Sequence, residues 1–162
     1  MSDFSLLEHA SDNIPDASNM RFGIIVTEWN SDITQRLLQS AVATLRQYGA
    51  EDSSIHVRQV PGSFELIFGV SQMVHYGHVN AVIVLGCVIR GDTPHFDYIC
   101  QGATQGLAHL NATENVPIIN GILTVNTHQQ ALDRADGCVG DKGAEFAVTA
   151  IKMADYAWKF QH

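Results

Sequence analysis

Two kinds of hydrophobic pattern alternate along the chain: short unbroken apolar runs, and longer stretches with apolar positions three or four apart. The run from Phe22 to Thr27 is short, apolar and β-branched, as a strand covered on both faces of a parallel sheet requires. Asn30 or Ser31 then stands where a helix N-cap belongs, ahead of apolar positions Ile33, Leu37, Leu38, Ala41, Val42 and Leu45. Gly49 falls where a helix C-terminus takes a left-handed residue. A second strand is predicted over Ile55 to Val60, broken by Pro61 and Gly62. Phe64, Ile67, Phe68 and Val70 to Val74 supply the apolar face of a helix ending near Gly77. Ala81 to Ile89 is the most hydrophobic segment and is expected as the central strand. A helix from about His95 to Asn111, a strand from Val116 to Val125, a short helix near Gln129 to Arg134 and a last helix from about Gly143 to Phe160 follow. Four strands alternating with helices predict an α/β fold, a parallel doubly wound sheet with right-handed crossovers. Residues 1 to 20 lack periodicity and read as an extended arm, which leaves 21–162 as a single domain.

Composition narrows the partners. A chain of 162 residues with 46% hydrophobic and 16% charged residues is globular. Its formal net charge of −8 argues against nucleic acid or an anionic membrane as partner, both of which need a basic footprint. A local basic cluster can still hold a small phosphate. No apolar run reaches the length of a bilayer span. The polar, acidic start is unlike a signal or transit peptide. Cys87, Cys100 and Cys138 are odd in number and form no CxxC pair, which suits reduced thiols and a cytoplasmic setting.

In an open parallel sheet, ligands bind beyond the carboxyl ends of the strands. The chemically unusual residues fall there: Glu28-Trp29-Asn30 after the first strand, Pro61 to Glu65 after the second, Arg90 to Asp97 after the third and Val125 to His128 after the fourth. Each has a plainer reading. Trp29 could be a surface aromatic, and Glu65 and Asp97 could serve the positive end of a helix dipole. His95 could be a turn residue, and Cys87 reads as core rather than nucleophile. The turn Arg90-Gly91-Asp92-Thr93 can aim backbone N–H groups at an anion, but it is neither a GxGxxG nor a P-loop pattern. His75 and His78 have no partner at metal-ligand spacing and read as a solvated helix end, so no metal site is expected. No GxSxG elbow supports a serine hydrolase.

Taken together, the motifs resemble one family. Trp29-Asn30, Val60 to Glu65 (VPGSFE), Leu85 to Asp97 (LGCVIRGDTPHFD), Gly121 to Thr124, Gln130 to Arg134 and Gly140 to Glu145 are similar in order and spacing to lumazine synthases, over roughly residues 21 to 158. The resemblance implies a flavodoxin-like three-layer αβα sandwich, and pentamers or multiples of pentamers with sites between adjacent subunits. It implies condensation of 5-amino-6-ribitylamino-uracil with 3,4-dihydroxy-2-butanone 4-phosphate to 6,7-dimethyl-8-ribityllumazine, phosphate and water. No cofactor is implied.

By the same resemblance, Trp29 stacks on the heterocycle with Asn30 beside it, and Ser63, Phe64 and Glu65 hold the ribityl chain. Cys87, Val88 and Ile89 line the pyrimidine, and Gly91, Asp92 and Thr93 meet the phosphate. His95 matches the acid/base histidine. Arg134 and Lys142 would reach in from the neighbouring subunit, toward the phosphate and the uracil. The chain departs from the pattern at Asn120, where an aromatic is common on the subunit-facing wall, at Cys87 and Trp29 (often threonine and phenylalanine), and at Val125-Asn126, often Thr-Glu. These departures keep two alternatives open: a weakly active member that captures flavins or lumazines, and an interaction protein whose main product is a shell.

Overall fold

Strands form where the unbroken apolar runs fall. They are β1 (Phe22–Thr27), β2 (Ile55–Val60), β3 (Ala81–Ile89) and β4 (Ile118–Val125). The helices are α1 (Ser31–Gln47), α2 (Leu66–Tyr76), α3 (His95–Thr113), α4 (His128–Ala135) and α5 (Lys142–Gln161), with 3₁₀ turns at Asp52–Ser54 and Ser63–Glu65. The computed structural model describes residues 13–162. All strand pairs are parallel, in the order β2-β1-β3-β4.

Period-two alternation sorts the apolar side chains into two layers. Phe22, Ile24 and Val26 of β1, with Ile83, Leu85 and Cys87 of β3, pack against α1, α4 and α5. Ile25, Val82 and Val84 face the opposite side, with Leu66, Val70 and Met73 of α2 and Leu107 of α3. The result is the three-layer sandwich. Each fully buried Leu or Ile in these layers stabilises the fold by about 1.5–3 kcal/mol.

Two expectations about the helices change. The N-cap of α1 is Asn30, yet its side chain makes no cap hydrogen bond, and its backbone is left-handed at φ 57°. Its amide is used elsewhere, as described below. On α2 the buried residues are Leu66, Val70 and Met73, whereas Phe64 and Phe68 are 54% and 70% exposed. That helix is apolar on most sides, so periodicity could not select the face that meets the sheet. β4 begins at Ile118 rather than Val116, just after Pro117, which has no N–H to give a ladder. Gly49 is left-handed at φ 105°, as expected.

The first twelve residues of the expected arm lie outside the described part. Of the remainder, Ala17 is fully buried and donates its N–H to Tyr48 O at 2.8 Å, with Ile14 and Met20 packed on the core.

The topology opens a crevice. The chain leaves β1 through α1 on one face and leaves β3 through α3 on the other, so β1 and β3 flank the switch point where such sheets bind ligands. Pairing of β1 with β3 stops at Val26–Leu85, while β3 continues beside β4 to Ile89–Val125. Beyond Leu85, the β1 flank of β3 therefore lacks a strand neighbour.

Candidate active site

A cavity of about 440 Å³ occupies that opening, within the size range of small-molecule sites. Its wall contains Trp29, Asn30, Ser63, Phe64, Glu65, Cys87, Val88, Ile89 and His95, together with Thr27 and Ile99. Nine of the residues expected from sequence thus meet in one place. The first three turns at the carboxyl edge build it; the fourth does not enter the wall.

The β1–α1 turn is laced to the end of β2. Glu28 N–H donates to Val60 O and Trp29 N–H to Pro61 O, at 2.8 and 3.1 Å. This holds the Trp29 indole, 65% exposed, over Gly62: a Cβ at position 62 would lie 2.5 Å from the ring. A side chain at position 62 would push the indole out of this place. Asn30 turns left-handed and donates from Nδ2 to Cys87 O at 2.9 Å, the carbonyl side of β3 that β1 no longer serves. Asn30 thus closes the backbone at the switch point.

Glu65 Oε2 accepts the Gly62 N–H at 3.1 Å, so the carboxylate organises its own 3₁₀ turn while it faces the cavity. The dipole reading and the site reading of Glu65 are compatible. Ser63 is buried and the Phe64 ring lies against Gly102 of α3. Burial, with a smaller effect of the Asp32 charge, pushes the Cys87 thiol up to about 12. A thiol at that value is no nucleophile near neutral pH.

His95 is the first residue of α3, exposed, with its N–H on Thr93 Oγ1 at 3.4 Å. Gly91, Asp92 and Thr93 are exposed at the mouth and are not part of the wall. Neither are Asn120, Arg134 and Lys142. Asn120 is exposed on the edge strand β4, its Oδ1 accepting from Ile122 N–H. Arg134, on α4, donates from Nη1 to Gln130 O at 3.0 Å. Lys142 is buried at the start of α5 and pairs with Glu145 Oε2 at 2.9 Å, and Glu145 Oε1 has no hydrogen-bond partner.

Sequence reasoning missed Thr27, Ile99 and Glu145. Ile99 sits one helical turn after His95, and an i, i+4 count from the histidine finds it. Glu145 sits three residues after Lys142, the spacing of a helical ion pair. His75 Nδ1 donates to Ser71 O, its Nε2 lies 3.8 Å from Glu114 Oε1, and His78 is exposed. Among the described residues no three His, Cys, Asp or Glu side chains gather as a metal-holding group, and no helix is long and apolar enough to cross a membrane.

Fold and cavity define a class: an open parallel α/β sheet with a small-molecule cleft at its β1–β3 switch point. A family model for 6,7-dimethyl-8-ribityllumazine synthase matches residues 19–157. Relatives bearing that name include one from Phocaeicola vulgatus, 56% identical over 157 residues, covering 97% of this chain and 94% of the relative. Another, from Bacteroides fragilis, is 57% identical over 139 residues (86% and 97%), and one from Parabacteroides distasonis is 52% identical over 153 residues (94% and 96%). The chain belongs to the 6,7-dimethyl-8-ribityllumazine synthase family, transferases of riboflavin biosynthesis.

Proposed function

We propose that this chain condenses 5-amino-6-ribitylamino-uracil with 3,4-dihydroxy-2-butanone 4-phosphate in the β1–β3 cavity, releasing 6,7-dimethyl-8-ribityllumazine, phosphate and water. The observation that carries the reading is the single wall formed by Trp29, Glu65 and His95 at the switch point. An aromatic face suits a flat heterocycle. The Glu65 carboxylate suits a chain of hydroxyls, which are donors. The backbone of Cys87 to Ile89, which lines the cavity where β3 has no strand neighbour on the β1 side, suits the polar rim of a pyrimidine.

The chemistry needs little else. The 5-amino group attacks the ketone carbon, and water leaves to give an imine. A proton is lost from C3 as phosphate departs from C4, the C3 enol so formed tautomerises to a ketone, and that carbonyl closes onto the ribitylamino nitrogen with loss of a second water. Each step moves a proton near neutral pH, which histidine at position 95 can carry. Holding two reactive partners in register supplies much of the acceleration. Phosphate departure is favoured by N–H donors at Gly91 to Thr93 and by a guanidinium.

That guanidinium is assigned to Arg134 of an adjacent copy, with Lys142 and Asn120 from the same neighbour, because none of the three enters the cavity of its own chain. Exposed aromatics at Phe68, Tyr76 and Tyr98, each at least 70% exposed, support association of copies into pentamers or multiples of them. Three unpaired cysteines suit a cytoplasmic protein. The test is direct: incubate purified protein with both substrates and follow lumazine absorbance and released phosphate against an enzyme-free control. Rates equal to that control would refute the reading.

A further inference from the structure

Arg90 is the first residue after β3, and the turn it opens carries Gly91, Asp92 and Thr93 to His95. Its side chain does not line the cavity. It is instead committed to three groups on two other segments. Nε donates to Asn126 Oδ1 at 3.0 Å, Nη1 lies 3.4 Å from Asp97 Oδ1, and the guanidinium carbon sits 4.3 Å from the centre of the Phe96 ring. Its backbone N–H also donates to Val125 O at 2.9 Å. Asn126 is itself fixed, since its N–H donates to Gln130 Oε1 at 2.8 Å within the capping box of α4.

Arg90 thus ties the end of β4 to the first turn of α3 across the base of the turn. Within the turn, Thr93 Oγ1 accepts the His95 N–H. We propose that Arg90 is a positioning residue: it acts through Asn126, Asp97 and Phe96 to hold the Gly91–Thr93 N–H groups and the head of α3 in place, and does not touch phosphate itself. The planar guanidinium is needed because one group must donate in plane and stack on a ring at once, which an ammonium cannot do. The proposal rests on the reading above in assigning phosphate to this turn.

The experiment compares Arg90→Gln, Arg90→Lys, Asn126→Ala and Phe96→Leu with the parent, each in the assembled protein. Two readouts are taken: KM for each substrate, and hydrogen exchange over residues 90–98. A positioning role predicts that Arg90→Gln raises KM for the butanone phosphate about tenfold with little change for the pyrimidine. Arg90→Lys should recover little of this, and Asn126→Ala and Phe96→Leu should each move KM part of the way in the same direction. Exchange over 90–98 should quicken in all four. If Arg90 were a direct phosphate ligand, lysine would rescue and Asn126→Ala and Phe96→Leu would leave KM at the parent value; that result overturns the proposal. Unchanged exchange over 90–98 in Arg90→Gln overturns it as well, and that measurement needs no turnover. A parent protein that makes no lumazine, with exchange still quickened in the variants, would instead refute the assignment of the reaction.

Discussion

At the residue scale, the cavity wall separates groups that can move protons from groups that cannot. The Cys87 thiol is raised to about 12 by burial, so in the folded protein it stays protonated through the neutral range. Iodoacetamide at pH 8 should therefore modify exposed Cys138 first and leave Cys87 unlabelled until the protein unfolds; peptide mapping of the labelled sites checks this. Early labelling of Cys87 would mean an opening that the buried wall does not allow. His95 is the proposed proton carrier at the mouth, and His95→Ala should lower turnover by roughly 10- to 10,000-fold, with the smaller losses expected because the substrates are already reactive. Sedimentation should show assembly unchanged. The indole of Trp29 gives a third handle, since the second tryptophan, Trp158, stacks on His162 at the far end of α5. Addition of the lumazine product should quench Trp29 emission, and in Trp29→Phe the residual Trp158 emission should respond much less. Equal quenching in both proteins would place the heterocycle away from β1.

At the element scale, the β1–α1 turn shows what the sequence could and could not convey. The strand was legible because the unbroken, β-branched run from Phe22 to Thr27 leaves few other structures, and the helix after it because Ile33, Leu37, Ala41 and Leu45 repeat every four. Asn30 stood at the right place, yet the expected capping role is absent. Its partner, the Cys87 carbonyl, lies 57 residues away and becomes unserved only because β1 ends before β3 does. No local rule encodes that. The same holds for α2, whose buried face is chosen by the sheet and not by its own pattern, and for Glu145, whose partner Lys142 was read as a ligand contact alone. The Asn30 arrangement has a measurable consequence. Asn30→Ala loses the bond to a half-buried carbonyl and puts a Cβ without compensation in a left-handed backbone, so it should cost about 1–3 kcal/mol. Asn30→Gly loses the same bond without the strain and should cost distinctly less. Urea midpoints at one fixed protein concentration compare them, and equal losses would show that the φ of 57° carries no strain.

At the scale of the whole molecule, the proposed site is unfinished in one chain. The cavity holds an aromatic, a carboxylate and the imidazole, but the two cations assigned to it sit elsewhere, Arg134 on α4 and Lys142 on α5. The proposed cyclic assembly would resolve this, because its interfaces are head to tail: one face of each copy would supply His95 and another face Arg134. Arg134→Ala should chiefly raise KM for the butanone phosphate, with lysine at 134 restoring it in part, since an ammonium lacks the planar fork. The decisive measurement mixes the two defects. Neither His95→Ala nor Arg134→Ala alone has an intact site, but after co-assembly in equal amounts an interface can join His95 from one copy with Arg134 from the other. With random mixing that happens at about one quarter of the interfaces, so activity should rise to about a quarter of the parent and well above either variant. Native mass spectrometry establishes that mixed assemblies have formed. If they have and activity stays at the level of the better variant, then Arg134 and His95 act within one chain, and the division of the site between copies is wrong.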